Sequence, residues 1–139
     1  MAKLLVLFFI LIFFISCIFT EEDCRKHKDF YRKYEANIVL EKLPELDFDR
    51  YKLYGKEPGV NKDTIQELPA RWFGQLNYFW AVGDTIVKKK GEVIIYIHKK
   101  VPKFDTTEFT CELTCDRYII NNMPKGYWND KLRKLGLRP

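Results

Sequence analysis

Cys24, His27, Cys111 and Cys115 are the residues of this chain whose types and spacing could most directly do chemistry. Cys24-x-x-His27 together with Cys111-x-x-x-Cys115 supplies three thiolates and one imidazole, a set that zinc accepts. The surrounding residues argue against a metal. Positions 108–119 alternate apolar and polar as a strand does, and four residues of strand separate Cys111 from Cys115 by roughly 13 Å. That distance also forbids a disulfide between them. In an oxidising compartment Cys24 is therefore expected to bridge Cys111 or Cys115, leaving the other thiol as an apolar filler of the core. A loop this long makes such a bridge worth roughly 4 kcal/mol in the chain-entropy picture.

Two other groupings invite a catalytic reading and do not sustain it. His98 could serve a cysteine nucleophile, but no nucleophile signature surrounds Cys111 or Cys115, and both are expected in the core. Asp47 and Asp49 would share one face of a strand, yet Arg50 and Lys52 beside them mark a solvated loop rather than an acid and base pair. No nucleotide or cofactor motif is present. The chain is not expected to be an enzyme, and neither a metal nor a cofactor is expected.

The oxidising compartment follows from the N-terminus. Leu4 to Ile15 is an unbroken run of Leu, Val, Phe and Ile behind Lys3, and an acidic switch follows at Glu21-Glu22-Asp23. This is the layout of a secretory signal over residues 1–20, with cleavage after Thr20 expected in preference to retention as an anchor. The apolar segment holds about 16 residues, short of the roughly 20 that a membrane-spanning helix needs. Residues 21–139 are then one secreted domain with a single core, too small for two. It has no Asn-x-Ser/Thr acceptor for N-glycosylation.

Charge divides the chain. Residues 21–69 carry 12 acids and 10 bases, whereas residues 70–139 carry 7 acids and 13 bases. The basic half offers Lys88, Lys89, Lys90, Lys99, Lys100, Lys131, Arg133 and Lys134 as a surface for a polyanion or an acidic protein. No nucleic acid is expected as a partner, and no membrane once the signal is removed.

The elements that must position these residues read as α+β. Thr20 and Asp23 open a helix whose apolar spacing at Phe30, Tyr31, Tyr34, Ile38 and Leu40 carries it from Glu22 to Leu43, where Pro44 stops it. Phe48 to Tyr54 reads as a short strand, Asp63 as the cap of one helical turn ended by Pro69, and Trp72 to Val82 as a strand. Thr85 to Val87 and Glu92 to Val101 form a hairpin through Gly91. Glu108 to Ile119 is a half-buried strand, and Trp128, Leu132 and Leu135 form one face of a short C-terminal helix. The expected architecture is an N-terminal helix packed on a three- or four-stranded antiparallel sheet, with the short C-terminal helix behind it.

That order of elements is similar to the cystatin arrangement, which implies a secreted protease inhibitor as one alternative. The residues of such an inhibitor are not matched: Gln75 to Gly83 is too long for its first binding hairpin, and Trp128 lacks a preceding proline. The high aromatic content allows a carrier of a small apolar ligand as another alternative. The leading expectation is a small secreted interaction protein that binds a protein or polyanion through its basic half.

Overall fold

The computed structural model of the chain describes residues 20–115 and 117–123. The expected signal therefore lies almost wholly, and the expected C-terminal helix wholly, outside the described residues. So do Lys131, Arg133 and Lys134.

Helix α1 (Glu21–Arg32) begins where its side chains dictate. The Thr20 hydroxyl accepts the Asp23 N–H at 3.2 Å, and the Asp23 carboxylate accepts the Thr20 N–H at 3.1 Å. Two otherwise orphaned donors are thus satisfied, and three acids in the first turn suit the positive end of the helix dipole. The helix buries Cys24 and Tyr31 and ends at Arg32, eleven residues before the expected Leu43. Beyond it the chain reverses to period two: Ala36, Ile38 and Leu40 are buried, Asn37 is exposed and Val39 half-exposed. A β-branched pair and an inward alternation overrule the helical spacing of Tyr34 and Ile38.

The strands are β1 (Ala36–Leu40), β2 (Glu45–Asp47), β3 (Arg50–Lys56), β4 (Asp63–Pro69), β5 (Thr85–Lys88), β6 (Ile94–Lys103), β7 (Thr106–Leu113) and β8 (Tyr118–Asn121). All pair antiparallel in one eight-stranded sheet of order β2-β3-β1-β5-β6-β7-β8, with β4 added to β3. The expectation of a helix on three or four strands is overturned, and with it the element order that suggested cystatins. The physical reason is that residues 36–40 and 63–69, read as helical, alternate and pair as strands.

Segment 70–76 corrects the expectation in the other direction. Instead of a strand from Trp72 to Val82, a short helix α2 (Ala70–Phe73) runs into a 3₁₀ turn (Gly74–Leu76). Trp72, Phe73, Leu76 and Phe79 are all buried, so this crossover fills the core rather than presenting one face to it. Phe73 stacks on Trp80 at 4.2 Å, and Phe79 meets Phe109 at 4.4 Å. Opposite them, Ile86, Ile95, Ile97, Phe109 and Cys111 form the inner surface of β5, β6 and β7.

Two junctions tie the sheet together. At Gly55 an added Cβ would stand 1.8 Å from the Val39 carbonyl oxygen, so β1 and β3 approach only because that position has no side chain. Further along β1, the Gln66 side chain on β4 accepts the Asn37 N–H at 2.7 Å and donates to its carbonyl at 3.3 Å. The amide thereby substitutes for a missing strand neighbour.

The crossover is fixed by a buried ion pair. Asp84 accepts from the N–H groups of Ala81 (2.7 Å) and Lys100 (3.1 Å) and pairs with the ammonium of Lys99. Lys99 also donates to the Phe79 carbonyl at 2.7 Å. Both side chains are almost wholly buried, so each charge depends on the other and on those amides.

Candidate functional site

Asp47 pairs with Arg50 across the β2–β3 hairpin, so Phe48 and Asp49 form a two-residue turn. Phe48 has φ +53°, the left-handed region that costs a bulky residue on the order of 1–2 kcal/mol. Turns of this kind ordinarily place Gly or Asn there. Burial of the phenyl would offset that cost, but Phe48 is 98% exposed. Leu46 and Leu43 nearby are 60% and 58% exposed. Three apolar side chains therefore stand in solvent at one end of the molecule.

The tip is held by its surroundings. The Asp49 carbonyl accepts the Ala70 N–H at 2.7 Å, which ties the turn to the start of α2. Lys52 pairs with Asp47 at 2.5 Å, Arg50 with Glu67 at 2.9 Å, and Lys42 with Glu45 at 2.7 Å. Lys42 also lies 3.6 Å over the Tyr54 ring. Asp47 and Asp49, with Arg50, Lys52 and Glu67, line a hollow of about 330 Å³ beside the phenyl. These ion pairs are half-exposed, and each contributes about 0–1 kcal/mol. They orient the loop more than they stabilise the fold.

The residues singled out by sequence fall elsewhere. Cys24 bridges Cys115, with Cα atoms 5.0 Å apart at a sequence separation of 91, clamping α1 to the end of β7. Cys115 stands past the strand, exposed; Cys111 is on it, buried and free. Burial pushes the Cys111 thiol up to about 12, against a smaller opposite effect from the Trp72 indole. With Cys24 and Cys115 joined, the zinc set is dismantled, and no cluster of three or more metal-ligating side chains occurs among the described residues. His27 packs edge-on to Tyr31 at 4.8 Å, and His98 pairs with Glu108 at 3.0 Å on the exposed side of the sheet.

The basic set is divided by the fold. Lys88 is fully buried and donates to the carbonyls of Tyr34 (3.0 Å) and Lys89 (2.7 Å). Desolvation lowers its pKa, partly offset by Glu92 and Glu35. Lys99 is held inside by Asp84. Lys89, Lys90 and Lys100 remain at the surface. The sequence reading passed over Phe48 by taking it as the first residue of a strand. The signal it overlooked is the two alternating runs, Glu45-Leu46-Asp47 and Arg50-Tyr51-Lys52-Leu53, on either side of Phe48-Asp49. No helix among the described residues is long and apolar enough to cross a membrane.

Comparisons with protein-family models, with curated proteins and with solved structures give no match to this chain.

Proposed function

We propose that the chain is a secreted, non-catalytic binding protein that docks on another protein through the β2–β3 tip, with Phe48 as the anchor. The observation that carries this reading is a fully exposed phenyl at a left-handed turn position, where it costs stability and packs on nothing. Strain retained without internal compensation points to a use outside the fold. Aromatic side chains are the commonest anchors of protein interfaces because they bury a large area with few rotatable bonds. Around the phenyl, Glu45, Asp47 and Glu67 are paired with Lys42, Lys52 and Arg50, so the rim of the anchor is mixed in charge and suits a partner with polar groups of both signs around an apolar pocket. The polyanion reading through the basic half has less support, because Lys88 and Lys99 are directed inward. Secretion is part of the proposal, supported by the apolar leader and by the Cys24–Cys115 bridge.

The test compares the secreted protein with its Phe48→Asn variant, immobilised in parallel and exposed to the extracellular fluid in which it acts. The expected outcome is a partner retained by the wild type and lost by a variant that is at least as stable. Equal retention of every partner by both proteins would remove the anchor role.

A further inference from the structure

The bonds at which the apolar leader could be removed differ in what they leave on α1. Removal of a leader wants a small side chain at the last residue cut away and another two positions before it. Ser16, Cys17 and Thr20 are the small residues that follow the apolar run. Ser16 has the aromatic Phe14 two positions before it, and cleavage there would leave Cys17 on the mature chain to compete for the bridge. Cys17 and Thr20 each have an isoleucine at that position, Ile15 and Ile18. Spacing alone therefore leaves the bonds after Cys17 and after Thr20 equivalent. The structure separates them.

Thr20 holds the first turn of α1 with its hydroxyl, its N–H and its carbonyl. The hydroxyl accepts the Asp23 N–H at 3.2 Å and donates to the Asp23 carboxylate at 2.6 Å. The Thr20 N–H donates to that carboxylate at 3.1 Å, and the Thr20 carbonyl accepts the Cys24 N–H at 3.1 Å. The hydroxyl first, and the N–H second, hold the Asp23 carboxyl below its ordinary range. Cys24 is the residue that bridges to Cys115, so the turn closed by Thr20 is the one that presents the sulfur.

Cleavage after Thr20 would remove all of these bonds and put an ammonium at the positive end of the helix dipole. Loss of an N-cap shifts a folding equilibrium about twofold to thirtyfold toward the unfolded state. Cleavage after Cys17 keeps the cap. It also keeps Phe19, which stands in the sequence at the spacing from Cys24 that a hydrophobic staple uses.

We propose that the secreted chain begins at Ile18, through hydrolysis of the Cys17–Ile18 amide by a signal peptidase, and that Thr20 caps its first helix. Water supplies the hydroxyl of the new Cys17 carboxyl group and the hydrogen of the new Ile18 amine. This assignment rests on the proposed secretion and moves the scissile bond from the expected Thr20 to Cys17.

The test is intact mass and N-terminal sequencing of the secreted protein, with denaturant unfolding of the wild type and of its Thr20→Val and Thr20→Asn variants. The expected N-terminus is Ile18. Thr20→Val, which keeps the shape and loses the hydroxyl, should weaken the folding equilibrium about twofold or more, and Thr20→Asn should restore most of it. Any other N-terminus, or a Thr20→Val variant as stable as the wild type, would overturn the assignment. A start at Glu21 would do so while leaving secretion standing, whereas a chain that retains residues 1–17 would overturn both.

Discussion

The molecule contains the dipeptide Phe-Asp at the tips of two hairpins, and the two are used differently. In the β6–β7 hairpin, Lys103 pairs with Thr106, and Phe104 and Asp105 form the turn at φ +55° and +57°. In the β2–β3 hairpin, Phe48 sits at φ +53°. The local backbone cost at the two phenylalanines is therefore alike. Phe104, however, is only 48% exposed, its ring lies parallel to Tyr78 at 6.5 Å, and Lys103 stands over both rings while donating to the Tyr78 carbonyl. Tyr78 in turn belongs to the crossover that the buried Asp84–Lys99 pair anchors to β6. Among the described residues Phe48 has no ring partner of this kind, and its hairpin is held by half-exposed ion pairs. The contrast teaches that a strained aromatic turn can be supported from within, as at Phe104, and that Phe48 is not supported that way.

The largest effect is expected at the foundation of the supported turn. Asp84→Ala leaves Lys99 buried without its counter-charge and should cost about 3–5 kcal/mol in denaturant unfolding. A loss below about 1 kcal/mol would mean that the pair does not anchor the crossover. Next, Phe104→Asn relieves strain but forfeits the Tyr78 and Lys103 contacts, which together are worth about 1–2 kcal/mol. The net expectation is a modest loss, about 1 kcal/mol or less.

The equivalent change at the other tip should have the opposite sign. Phe48→Asn removes strain and no contact, so it should stabilise the protein by about 0.5–1 kcal/mol, read as an upward shift of the denaturation midpoint. If both asparagine variants shift stability in the same direction, the comparison fails. The smallest effect is Arg50→Gln, which breaks the half-exposed pair with Glu67. It should cost about 0.5 kcal/mol or less at low salt and nothing measurable in 1 M salt.

How much of this was legible beforehand depends on the kind of signal. The start of α1 was, because Thr20 and Asp23 sit at capping-box spacing. Its end was not: Phe30, Tyr31, Tyr34, Ile38 and Leu40 keep a roughly helical interval by chance while Ala36, Ile38 and Leu40 alternate. The β5–β6 hairpin was visible through Gly91. The β2–β3 hairpin was hidden because its turn residues are Phe and Asp, not the Asn-Gly or Asp-Gly that mark tight turns. Segment 70–82 misled because a crossover buried all round has no solvent face to reveal its period. The grouping of His27, Arg71 and Arg117 beside the Cys24–Cys115 bridge could not be read at all, since the three lie on elements far apart in sequence. Lys88 and Lys99 looked like solvent-facing charge, and only the packing shows that carbonyls and Asp84 receive them.

The most direct measurement places a photoreactive benzoyl-phenylalanine at position 48, and in a separate protein at position 104, and irradiates each in the extracellular fluid. A discrete cross-linked partner is expected from position 48, competed away by excess wild-type protein but not by Phe48→Asn, and none from position 104. Equal cross-linking from both positions, or none from position 48, would contradict it.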